Sequence, residues 1–125
     1  MVKIMKDVHS KGILHRDIKP ANFCISKDAT VTDLVSGNEK IYLIDFGLSK
    51  PYVGRHNKHI PMVESKKLVG TPRYASYNTH MGIEQSRRDD LEVIGNTIIY
   101  LYKESLPWEN YFSGANKYEE YANIA

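Results

Sequence analysis

Residues 14–22 read LHRDIKPAN and residues 41–47 read IYLIDFG. The first stretch puts a histidine, an arginine, an aspartate, a lysine and an asparagine close together, just ahead of the apolar run Phe23-Cys24-Ile25. The second delivers an aspartate and a glycine to the end of a short apolar run. Alone, LHRDIKPAN is a charged turn between a helix and a strand, and a carboxylate followed by glycine is common in loops. Together, in this order and with a strand between them, they make a far more specific signature than either does separately.

The 125 residues fit one domain or a large piece of one. Hydrophobic residues make up 42% and charged residues 26%, a globular composition far from a disordered one. A formal net charge of +2 leaves room for a local anionic partner such as a phosphate but does not support a nucleic-acid groove. The lone cysteine, Cys24, excludes an intrachain disulfide and a Cys-rich metal site, and it reads as a small buried hydrophobe beside Phe23 and Ile25. That usage fits a reducing compartment. The longest apolar stretch, residues 93–102, is interrupted by Gly95, Asn96 and Thr97 and is too short to span a bilayer. The opening MVKIMKDVHS lacks the long apolar segment of a secretory signal. An intracellular protein that engages neither nucleic acid nor membrane is expected.

Residues 1–10 place Val2 and Met5, and beside them Ile4 and Val8, at helical spacing, with Gly12 just past the expected end. Residues 23–25 and 41–44 are β-prone and predict a strand pair with a long connection, which holds a small extra strand at 30–34. Residues 50–67 show no periodicity and predict a long surface loop. Asp89 and Asp90 open the clearest helix, at about 89–104, with acidic residues suited to its N-terminal dipole. Its remainder is apolar on nearly every side, which predicts a buried helix ending before Pro107. A further helix is expected from Lys117.

His15-Arg16-Asp17 with Asn22 matches the catalytic-loop pattern of protein kinases, and Asp45-Phe46-Gly47 matches the metal-binding triplet that follows it. The chain therefore resembles a protein kinase. The resemblance implies an α+β, mainly α-helical fold: a partial kinase C-terminal lobe over residues 1–125, with a short β-hairpin at the catalytic loop. The catalytic loop would span 15–22 and the activation segment 45–78. ATP and Mg2+ are the implied cofactors, and proteins the implied substrates. Asp17 would orient the attacking hydroxyl and accept its proton. Asn22 and Asp45 would offer hard oxygen ligands to magnesium. Lys19 would stabilise charge on the transferred phosphoryl group, and in this family a lysine there marks serine/threonine specificity. Thr71 would bond near Asp17 and Lys19. Asp90 would hold the backbone of His15 and Arg16, while His15, Phe46 and Gly47 support the site.

A narrower resemblance follows from Gly70-Thr71-Pro72-Arg73-Tyr74-Ala75-Ser76. Most kinases then continue with Ala-Pro-Glu, whereas this chain reads Ser76-Tyr77-Asn78. With the run NTHMGIEQSRRDDLE over 78–92, and with His59-Ile60-Pro61 and residues 105–108 (SLPW), it is similar to the casein kinase 1 family. Residues 28–40 and the tail beyond Trp108 are poorly accounted for. The family usually has Asp at position 21, where this chain has Ala21, and Ala at position 49, where it has Ser49. By the same resemblance, Arg16, Lys50 and Arg73 form a basic cluster for phosphate on an acidic or phospho-primed substrate, a chemistry that guanidinium groups suit.

The glycine-rich loop, strand lysine and helix glutamate that grip the nucleotide in kinases have no counterpart here, and no GxGxxG occurs in the 125 residues. The chain is thus expected to be a fragment of a working enzyme, inactive alone, or else a non-catalytic remnant that acts only as a binding module. A small-molecule phosphotransferase also spaces an aspartate and an asparagine, but GTPRY and DFG argue against it.

Overall fold

The structure, a computed structural model, describes residues 1–37 and 39–109. The helix expected from Lys117 lies outside the described residues. Those residues form an α+β arrangement of four helices and two small antiparallel sheets. Among them, no helix is long and apolar enough to cross a membrane.

Helix α1 (Val2–Ser10) buries Met5 and His9, one helical turn apart on a single face. Gly12 ends it at φ +76°, in the left-handed region that glycine enters without cost, and its N–H donates to His9 O at 2.9 Å. The chain continues through β1 (Ile13–Leu14) into the LHRDIKPAN loop. A single 3-10 turn (Pro20–Asn22) then leads to β2 (Phe23–Cys24). β2 pairs antiparallel with β3 (Tyr42–Leu43), placing Phe23 opposite Leu43. β1 pairs antiparallel with β4 (Lys50–Pro51), placing Leu14 opposite Lys50. The expected strand pair therefore forms, two residues long in each partner. Cys24 is half-buried and free.

The extra strand expected at 30–34 is instead helix α2 (Val31–Ser36). Thr30 and Asp33 cap it reciprocally: Thr30 N donates to Asp33 Oδ2 at 2.9 Å, and Asp33 N donates to Thr30 Oγ1 at 3.1 Å. This bonding satisfies two helix-end donors and outweighs the β preference of Val31 and Thr32. The loop expected over 50–67 is also partly structured. Besides β4 it holds a 3-10 turn (Arg55–Asn57) and a Val53–His59 bridge, and Ile60 N donates to Tyr52 O at 2.8 Å. Tyr52 is buried, and its hydroxyl donates to His9 O at 2.6 Å, which ties this segment to α1.

After a 3-10 turn (Pro72–Tyr74) and the short α3 (Tyr77–His80) comes α4 (Arg87–Lys103). It begins two residues before the expected start because Ser86 and Asp89 form a capping box. Its burial also differs from expectation. Asp90, Ile94 and Thr97 form the inward stripe, whereas Leu91, Ile98, Ile99, Leu101 and Tyr102 are exposed among the described residues. Residues 90, 94 and 97 share one face at 3.6 residues per turn, and that face meets α1 and the 14–22 loop.

The core is Met5 of α1, Ile18 of the loop and Ile94 of α4, flanked by Val8, Phe23, Leu43 and Val93. Burying such a side chain contributes about 1.5–3 kcal/mol. Ile18 lies between Asp17 and Lys19, so the same burial that secures the loop fixes the backbone from which both charged side chains extend.

Candidate active site

Asp90, at the start of α4, organises the loop. Its Oδ2 accepts from His15 N and its Oδ1 from Arg16 N, each at 2.9 Å, and His9 Nε2 lies 2.9 Å from Oδ2. Asp90 is 2% exposed, so these contacts replace the water that a buried carboxylate would otherwise require. They hold Arg16 at φ +67°, a conformation that a residue with a Cβ avoids unless it is held there. Arg16 Nε also donates to Leu48 O at 2.7 Å, tying the loop to the segment after the DFG triplet.

The turn at Arg16 presents Asp17 to a small polar cluster. Lys19 Nζ donates to Asp17 Oδ2 at 2.7 Å, and Thr71 Oγ1 donates to Asp17 Oδ1 at 2.7 Å. Lys19 Nζ and Thr71 Oγ1 are 3.2 Å apart. Asn22 Nδ2 donates to Asp17 O at 2.8 Å. Burial pushes the Asp17 carboxyl up, but the bonds from Lys19 and Thr71 and the Lys19 charge more than offset it. The net result is a pKa below the ordinary carboxylate value.

Asp45 is adjacent through the backbone, since Ile44 N donates to Asn22 O at 2.9 Å. Its φ is +62°, and its Oδ1 accepts from Gly47 N at 3.3 Å. Its carboxylate makes no hydrogen bond to Asp17 or Asn22 among the described residues. The Phe46 ring meets the His15 ring edge to face at 4.8 Å, and His15 Nε2 lies 3.1 Å from Ile44 O.

Gly70 lets the segment before Thr71 pass against the loop. A Cβ there would sit 2.3 Å from Arg16 O, and the φ of +104° is itself unfavourable for other residues. Gly70→Ala is therefore expected to destabilise the fold by about 1–3 kcal/mol, read as a lowered urea midpoint with an unchanged m-value.

With this geometry in view, the family model for the protein kinase domain matches residues 1–124. The chain belongs to the protein kinase family.

Within this kinase chain, the basic cluster differs from expectation. Arg16 and Lys50 do line a common pocket of about 230 Å³, but their companions are Lys66 and Lys67. Arg73 is not among its lining residues. The 3-10 turn buries Tyr74 and leaves Arg73 towards the end of α4, where its guanidinium lies 5.6 Å from the Tyr100 ring and its Nε 3.2 Å from Glu109. Lys66 and Lys67 lacked a sequence signal because they sit in an irregular run without periodicity. Glu84 was also missed: it is buried and pairs with Lys50 at 2.9 Å and Lys66 at 3.1 Å. Burial raises its pKa, and the two lysines more than reverse that, leaving it low. Ser76, also buried, caps α3 and donates to Asp89 Oδ1 at 2.7 Å, joining the start of α3 to α4.

Proposed function

We propose that this chain is the catalytic face of an intracellular serine/threonine protein kinase of casein kinase 1 type, part of the C-terminal lobe, acting on acidic or phospho-primed proteins. The observation that carries the reading is the buried Asp17 carboxylate, clamped by Lys19 and Thr71 at 2.7 Å each. Oδ1 accepts only from Thr71, while Oδ2 takes Lys19 and, at 3.4 Å, the Asn22 amide, so Oδ1 keeps a lone pair free. Asp17 can therefore orient a substrate hydroxyl and take its proton as the bond to phosphorus forms. Lys19 Nζ has three donors and spends two here, so one remains for a phosphate oxygen. Serine/threonine specificity rests on Lys19, and the casein kinase 1 type rests on the run over 78–92 with Ser76-Tyr77-Asn78.

The donor set suits magnesium with ATP. The Asn22 amide nitrogen is committed to Asp17 O, which leaves its carbonyl oxygen available. The Asp45 carboxylate is exposed and only lightly held. No group of three or more His, Cys, Asp or Glu side chains gathers among the described residues. Two hard oxygens completed by substrate phosphates is a pattern typical of magnesium. When bound, the metal would neutralise phosphate charge during transfer. The pocket of Arg16, Lys50, Lys66 and Lys67 offers cations to a phosphate already on the substrate, with Glu84 as the internal competitor for two of them.

The test is labelled-phosphate transfer from ATP and magnesium to matched serine, threonine and tyrosine peptides. The 125 residues alone are expected to turn over negligibly, since they contain no GxGxxG. Joined to a nucleotide-gripping small lobe, they should label serine and threonine but not tyrosine. Labelling of tyrosine, or no labelling at all, would count against the reading.

A further inference from the structure

A larger groove, of about 790 Å³, runs between α1, the segment around Tyr52 and His59, and the first turn of α4. Asp17, Lys19 and Thr71 do not line it. Lys6, Arg87 and Arg88 do, together with the imidazoles of His9 and His59, and no acidic side chain joins them among the described residues. His9 is already paired with Asp90, but the three permanent cations are poorly neutralised. Lys6 makes no ion pair among the described residues, and Arg87 lies over the Tyr52 ring at 4.9 Å. Arg88 is 3.7 Å from an Asp89 carboxylate already engaged by Ser76 and Ser86. The floor is firm, because Tyr52 is buried and bonded to α1. Val2 and Leu91 add an exposed apolar ledge.

The groove is continuous with the catalytic side. His59, Ser86 and Arg88 also line a neighbouring pocket with Pro61 and Met62, and that pocket's Glu84 and Gln85 line the basic pocket of Arg16 and Lys50. We propose that this groove docks an acidic, carboxylate-bearing segment of a protein substrate, away from the residue to be phosphorylated. That the partner is a substrate rests on the function proposed above; the docking rests on charge complementarity and the apolar ledge. A peptide fits better than nucleic acid or a bilayer. The recess pairs its cations with an apolar ledge, while the chain's net charge of only +2 provides no extended basic face.

The experiment measures fluorescence anisotropy of a labelled glutamate-rich peptide with the 125-residue chain, without ATP. The combined Lys6→Glu and Arg88→Glu variant should weaken binding roughly tenfold or more, and added salt should weaken it for the unaltered chain. A length-matched glutamine peptide should bind poorly, and Lys27→Glu, at an exposed lysine that lines neither pocket, should change little. Lys6 is exposed, and an acidic residue in the first turn of α4 suits the helix dipole, so the variant should remain folded. Lys6→Gln with Arg88→Gln supplies a milder second reading in the same direction. Binding indifferent to either pair, or weakened as much by Lys27→Glu, overturns the proposal. Tighter binding of an RNA oligonucleotide or phosphatidylserine vesicles that responds to the same reversals overturns the choice of partner. Groove-dependent peptide binding with no serine labelling in the transfer assay removes the substrate reading and keeps the docking.

Discussion

Asp17→Asn is expected to lower phosphate transfer by the small-lobe-joined chain at least roughly a hundredfold, within the range that a positioned proton acceptor contributes. The substitution keeps the side-chain shape and an acceptor for the Thr71 hydroxyl, but it removes the negative charge that faces Lys19. The Asp17 side chain is 7% exposed and that of Lys19 26%, so the pair is only partly hydrated and its loss should cost about 1–3 kcal/mol of stability. A large fall in initial rate, measured well below the Tm of the variant, separates chemistry from folding. A rate within a few-fold of the unaltered protein would remove Asp17 from the proton-accepting role. The pH dependence has a definite sign. Because the folded pKa of Asp17 is depressed, its stabilising contribution is present above the unfolded value of about 3.9 and is lost as pH falls through the lower folded value. Asp17 thus stays ionised across the mildly acidic range, and any loss of rate between about pH 5 and 7 is expected to come from another group.

How much was legible in the sequence depended on whether the signal was local. The HRD and DFG stretches fix roles by spacing along the chain, and they pointed to the neighbourhood where Asp17, Lys19, Asn22 and Thr71 make contact. The start of α4 and the whole of α2 were misread for one shared reason. Thr30 with Asp33, and Ser86 with Asp89, are capping boxes written plainly in the sequence, but β-branched residues in the first case and the acidic pair Asp89-Asp90 in the second drew the reading elsewhere. The burial of α4 was overestimated because apolar content says how hydrophobic a helix is, not which side has a neighbour. The basic pocket was legible only in part. Arg16 and Lys50 are held by β1 and its pairing with β4, whereas Lys66 reaches them through a tertiary path: Lys66 N bonds Gly82 O at 2.8 Å, and Lys66 Nζ meets Glu84. No periodicity encodes that path.

The largest structural effect is expected from Asp90→Ala. The substitution strips the acceptor from the buried backbone N–H of His15, from the partly buried one of Arg16, and from the His9 ring. Each unsatisfied donor costs about 1–3 kcal/mol. Releasing Arg16 from φ +67° returns part of that, because the left-handed conformation is itself unfavourable by about 1–2 kcal/mol. The net loss should be about 3–5 kcal/mol, a large share of the stability of a chain this size. Asp90→Asn should recover little. Its amide keeps one acceptor oxygen but turns an NH2 towards the second backbone N–H, so two donors would face each other. Urea denaturation reads the total, and hydrogen exchange reads the cause. The amides of His15 and Arg16 should lose protection in both variants, even where the β2–β3 pair keeps its own. If those two amides exchange as slowly as before, the loop is held by something other than Asp90. The route by which α4 positions Asp17 would then have to run instead through the packing of Ile18 against Ile94.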